Sequence, residues 1–86
     1  MYLSIDQSTS SSTIFLYNKK FKLISKYSKP HKQIQKSYGY VEHDANEIIS
    51  NIFFLVRKIS KKIKFEKDLF LSITNQRETF VIFDKN

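Results

Sequence analysis

The sequence has no cysteine and only one glycine, one proline and one alanine in 86 residues. Without cysteine no disulfide can staple the fold, and stability has to come from burial. A chain of this length removes only about 60–70% of its unfolded surface from water. A cysteine-free chain is also compatible with a reducing cytosol. No window approaches the roughly 18 consecutive apolar residues of a membrane span. The opening run from Met1 reaches an acid at Asp6 and then a polar stretch, which is not the pattern of a secretory signal. A cytoplasmic chain is expected, with no membrane partner.

What is present suits a globular domain: 41% hydrophobic residues, eight Phe and five Tyr. The net charge is +7, most of it in two clusters, Lys19 to Lys36 and Arg57 to Lys67. Such charge fits a nucleic-acid surface. It also fits the Lys, Ile, Phe and Ser enrichment that an AT-rich coding sequence produces. No nucleic-acid motif accompanies it, so nucleic acid is not the expected partner.

Tyr2-Leu3-Ser4-Ile5-Asp6 reads as a strand, Gln7 to Ser12 as a hydroxyl-rich turn and Thr13 to Tyr17 as a second strand. Asn18-Lys19-Lys20 is a tight turn before a third strand, Phe21 to Tyr27. These form an antiparallel meander that Pro30 ends, because proline cannot donate to a ladder. Residues 31–43 show no period, and Gly39 marks a bend among them. Asp44 and Glu47 have the spacing of a capping box. Behind them Ile48, Ile52, Leu55, Val56, Ile59 and Ile63 form one helical stripe. Arg57, Lys58, Lys61 and Lys62 complement the dipole at that helix's C-terminal end. Leu69 to Ile73 is then a buried strand and Phe80 to Phe83 another. The fold class is α/β, a mixed sheet in the order β-β-β-α-β-β.

Three stretches carry chemistry. In Ile5-Asp6-Gln7-Ser8-Thr9-Ser10-Ser11-Ser12 a carboxylate ends a strand and hydroxyls follow. Turn N–H groups cradle phosphate oxygens, and one carboxylate with retained waters suits Mg²⁺. Taken alone, the stretch reads first as a serine-rich hairpin loop. In Gly39-Tyr40-Val41-Glu42-His43-Asp44, His43 has the chemistry of a base or ligand. Its only fellow histidine, His31, is not at ligand spacing, so a structural role before the helix is expected. Ile73-Thr74-Asn75-Gln76-Arg77-Glu78-Thr79 places a donor fork beside an acceptor pair. That pairing suits a polyhydroxy ligand, and it equally suits an exposed hairpin turn.

Together these three motifs, in this order and spacing, resemble the N-terminal end of glycerol kinases in the FGGY carbohydrate kinase family. The hexapeptide Thr74 to Thr79 is the most specific of them, and the likeness runs from Tyr2 to Asp84. The resemblance implies a ribonuclease H-like, actin-like ATPase N-terminal subdomain, in part. It implies ATP and Mg²⁺ as cofactors, and phosphoryl transfer to a terminal hydroxyl of glycerol. Asp6 would lie near the metal, Thr9, Ser10 and Ser11 would contact the nucleotide phosphates, and Arg77 and Glu78 would bind glycerol.

Ser8 stands where the family carries Gly, Thr13 where it carries Arg, and Tyr38 and Tyr40 where it carries Pro and Trp. Family members are two-domain proteins several times longer, with the catalytic base and adenosine site downstream. Residues 1–86 are therefore expected to be an incomplete N-terminal part, inactive alone, with a missing C-terminal half as its partner. The alternative is a stand-alone basic module that binds nucleotide or RNA. Phe53, Phe54, Phe80 and Phe83 read as apolar surface awaiting a partner.

Overall fold

The computed structural model describes residues 1–37, 40–63 and 68–75. In chain order these form strands β1 (Tyr2–Gln7), β2 (Ser11–Tyr17), β3 (Leu23–Pro30), β4 (Gln33–Ser37) and β5 (Tyr40–His43), then helix α1 (Ala45–Ser60) and strand β6 (Phe70–Thr74). One sheet has the order β3-β2-β1-β6, and β4 and β5 form a separate antiparallel pair. β1, β2 and β3 make the expected antiparallel meander, while β6 returns parallel to β1.

The core follows from strand alternation. Leu3 pairs with Leu16 and Ile5 with Ile14, and all four are buried on one face. Helix α1 lies across that face, contributing Leu55 and Ile59, with Ile52, Val56 and Ile63 packed at the margin. Burying each large aliphatic side chain contributes about 1.5–3 kcal/mol. Of the helical stripe read from the sequence, Ile52, Leu55, Val56 and Ile59 pack here from α1, Ile63 packs from beyond the helix end, and Asn51 is a further buried member.

The helix starts as its capping residues dictate, with one change. Asp44 accepts a hydrogen bond from the Asn46 N–H at 2.9 Å. Glu47 does not complete the box by reaching back to Asp44. Its Oε1 accepts instead from the Lys32 N–H at 3.1 Å, tying the first turn of α1 to the segment after β3.

Two expectations are corrected. Residues 31–43 are not irregular: they contain β4 and β5. β4 is Gln-Ile-Gln-Lys-Ser, and a single apolar residue gives no alternation from which to read a strand. The strand over Leu69–Ile73 exists, as β6, but it is exposed throughout rather than buried. Leu71 and Ile73 pair with Leu3 and Ile5 and so share the inner face, yet they are 57% and 63% exposed. Helix α1 covers β2 and β3, and β6 is an edge strand beyond its reach. The last expected strand, Phe80–Phe83, lies outside the described residues, as does the bend at Gly39.

The turn before β3 is built on Asn18, whose Oδ1 accepts from the N–H groups of Lys20 and Lys22 at 2.8 and 3.0 Å. Phe21 follows with φ of 60°, a left-handed conformation that a β-carbon disfavours. Its ring stacks on Tyr2 at 4.5 Å, and Tyr2 stacks on Phe70 at 5.4 Å. Pro30 closes β3, an edge strand, where a missing donor is tolerated.

Ser12 is fully buried between the core and the turn, and its hydroxyl has no hydrogen-bond partner among the described residues. An orphaned buried hydroxyl costs about 1–3 kcal/mol. Ser12→Ala should therefore raise the urea unfolding free energy by about 1 kcal/mol, and a loss of stability would show that the hydroxyl is satisfied.

Candidate functional site

The candidate site lies where β1 ends. Asp6 is exposed and stands beside Thr74 in the parallel β1–β6 register. The Thr74 hydroxyl is 3.2 Å from Asp6 Oδ1 and 3.4 Å from the Ile5 carbonyl. Both strands present their carboxyl ends here, the side of an α/β sheet on which ligands bind. Thr74 is the first residue of the polar hexapeptide. Arg77 and Glu78, the expected glycerol ligands, lie outside the described residues.

After Asp6 the chain reverses through an apex at Thr9 and Ser10. The Ser8 N–H and Oγ–H both donate to the Ser11 carbonyl, at 2.9 and 3.0 Å. Thr9 and Ser10 are exposed, and Ser11 is half-buried. The serine in the family's glycine position imposes no left-handed strain, because Phe21 alone has positive φ among the described non-glycine residues. Thr13, in the family's arginine position, has its hydroxyl 2.7 Å from Ser28 Oγ on the sheet's outer face.

The segment after β3 holds this turn from behind. The His31 N–H donates to the Ser10 carbonyl at 3.1 Å, and His31 Nε2 lies 2.8 Å from the Thr9 carbonyl. A carbonyl only accepts, so Nε2 carries the hydrogen. The two neighbours of His31 are tied to α1. Asn51 Nδ2 donates to the Pro30 carbonyl at 3.1 Å, and Lys32 N–H donates to Glu47.

His31 and His43, separated in sequence, meet edge to face with ring centroids 5.0 Å apart. His31 Nδ1 and His43 Nε2 are buried without a hydrogen-bond partner among the described residues. The structural role expected for His43 is thus a contact with His31. Sequence reasoning missed the partnership of His31, because the β4–β5 pairing that brings Gln33 opposite His43 left no period to read. No group of three or more metal-ligating side chains occurs among the described residues.

A meander, a helix crossing one face and a strand returning parallel beside β1, with a carboxylate and a hydroxyl-rich turn at the strand ends, form a partial domain of the actin-like ATPase fold. Solved structures of carbohydrate kinases share it. The chain belongs to the FGGY family of carbohydrate kinases, whose N-terminal domain model matches residues 1–86.

It is 41% identical over 86 residues to a glycerol kinase of Oceanobacillus iheyensis, an alignment covering 98% of this chain and 17% of that protein. The crystal structure of Plasmodium falciparum glycerol kinase with ADP superposes with a TM-score of 0.75 at 33% identity, covering 91% of this chain and 16% of that one. Gluconate kinase from Lactobacillus acidophilus superposes with a TM-score of 0.74 at 22% identity, covering 84% and 15%, and that likeness is one of fold alone. The chain thus spans about a sixth of the length of these relatives.

Because Asn51 is buried and anchors Pro30, Asn51→Leu should keep the packing volume and lose the bond. About 1 kcal/mol of stability should go with it, read as a lower urea midpoint. An unchanged midpoint would mean that the α1–β3 tie contributes nothing.

Proposed function

We propose that these residues form the incomplete first part of a glycerol kinase's N-terminal domain and furnish its nucleotide-phosphate turn and metal carboxylate. The observation that carries this reading is the placement of Asp6 at a strand end, directly before the exposed Thr9–Ser10 turn. The donor set fits Mg²⁺ and phosphate in kind: a hard carboxylate oxygen, hydroxyls and turn N–H groups. When bound, ATP supplies the phosphoryl group and Mg²⁺ the charge neutralisation that such transfer needs.

Each residue then has a task. Asp6 fixes the metal's position, with Thr74 orienting one carboxylate oxygen. Thr9, Ser10 and Ser11 hold phosphate oxygens. Arg77 and Glu78 bind glycerol, by family resemblance. The catalytic base and the adenosine site belong to a missing C-terminal part, so the 86 residues alone do not transfer phosphate. The uncovered inner-face residues Leu71 and Ile73, with Phe53 and Phe54 on α1, support a fold that awaits more chain. No helix among the described residues is long and apolar enough to cross a membrane, and we place the protein in the cytoplasm.

One observation favours a second reading, a basic module for nucleotide or RNA. An open groove along α1 is lined by Lys29, Phe54, Arg57, Lys58 and Lys61. Lys29 Nζ lies 4.2 Å from the Phe54 ring centroid, and Lys58 Nζ lies 4.5 Å from that of Tyr27. Cations held on rings remain available to phosphates.

The purified chain should release no ADP from ATP and glycerol above the background of an Asp6→Ala control, and clear turnover would overturn the fragment reading. Binding to single-stranded RNA should be weak and vanish at physiological salt. A complex that survives such salt would favour the second reading.

A further inference from the structure

We propose that His31 is the positioning residue of the phosphate turn, setting the direction of the N–H groups that face the nucleotide. The inference rests on the phosphate reading of Thr9–Ser11 and adds to it a residue from outside the motif.

The turn needs an external support. Hairpins with a two-residue apex normally use dihedrals with positive φ, because those match the twist of the flanking strands. Here Thr9 and Ser10 both keep negative φ, as does Ser8. The closing bonds from Ser8 to Ser11 act at the base of the turn, not at its tip. Both tip carbonyls go to one residue: the Thr9 carbonyl to His31 Nε2 and the Ser10 carbonyl to the His31 N–H.

That double anchor has a directional consequence. A trans peptide is planar, and its C=O and N–H point opposite ways. Drawing the Thr9 carbonyl onto His31 aims the Ser10 N–H away from His31. Drawing the Ser10 carbonyl onto His31 does the same for the Ser11 N–H. Successive N–H groups held on one side form an anion-binding concavity.

The anchor is itself fixed. His31 is 7% exposed, its ring rests edge to face on His43, and its backbone neighbours are bonded to Asn51 and Glu47 of α1. With negative φ at both apex residues, the tip carbonyls are held by His31 and not by a primed turn.

The test uses the full 86-residue chain, with tripolyphosphate as the probe. Long-range ¹H–¹⁵N spectra of the wild type should show His31 as the Nε2–H tautomer. His31→Phe keeps the ring volume and the backbone bond but removes the side-chain donor. It should weaken tripolyphosphate binding about fivefold, the effect of one ordinary hydrogen bond. It should also shift the Thr9–Ser11 amide signals while leaving those of α1 in place. His31→Gln, with an amide donor, should restore part of the affinity. A purely structural role would move stability without this pattern of loss and rescue.

An Nδ1–H tautomer in the wild type would overturn the proposal with no variant needed. So would turn amides and affinity that His31→Phe leaves unchanged. A wild type with the Nε2–H tautomer and a His31-dependent turn that nevertheless binds no tripolyphosphate would sustain the anchor and overturn the phosphate reading.

Discussion

Leu3 and Ile5 from β1, Ile14 and Leu16 from β2, and Leu55 and Ile59 from α1 exclude water from one another almost completely. Every other element is placed by its relation to that layer. Because the β1–β2 register buries these four strand residues together, the strand ends and the intervening turn emerge at one edge of the core. Asp6 and Thr9 to Ser11 are therefore carried on the two strands that supply the buried core. The parallel return of β6 then brings Thr74 beside Asp6, so the motif from the N-terminus and the motif near residue 75 share one strand edge.

The second level of organisation is polar. Pro30, His31 and Lys32 form a short clasp between the helix and the turn, with Asn51 and Glu47 on one side and the Thr9 and Ser10 carbonyls on the other. Asn51 sits within the apolar stripe of α1, and the Glu47 carboxylate, which a capping box would direct back to Asp44, is used across the fold. These departures from helical regularity mark where the helix is fastened to the site. The basic groove along α1 is a separate surface, with its cations resting on aromatic rings.

Much of this was legible in the residues. The meander, the helix with its Asp44 cap and its apolar stripe, and the strand before the polar hexapeptide each carry a strong local signal, and the hexapeptide Thr74 to Thr79 is unbroken. The β4–β5 hairpin was not legible, because Gln33 to Ser37 offers one apolar residue and its pairing is set by what it packs beside. The exposure of β6 was not legible either: Phe-Leu-Ser-Ile reads as buried, and only the course of α1 over β2 and β3 shows that it is not. The role of His31 required tertiary structure altogether, since its partners are carbonyls 21 and 22 residues earlier, which no side-chain motif encodes.

The central claim is that the nucleotide's metal and phosphates belong at Asp6 and the Thr9–Ser11 turn. Paramagnetic broadening of backbone amides by Mn²⁺–ATP reads the metal's position directly. The account predicts that Asp6 and Thr9 to Ser11 broaden first and that Asp6→Asn abolishes the effect. Broadening centred on Lys29, Arg57 and Lys61, or broadening at the turn that persists in Asp6→Asn, would contradict it.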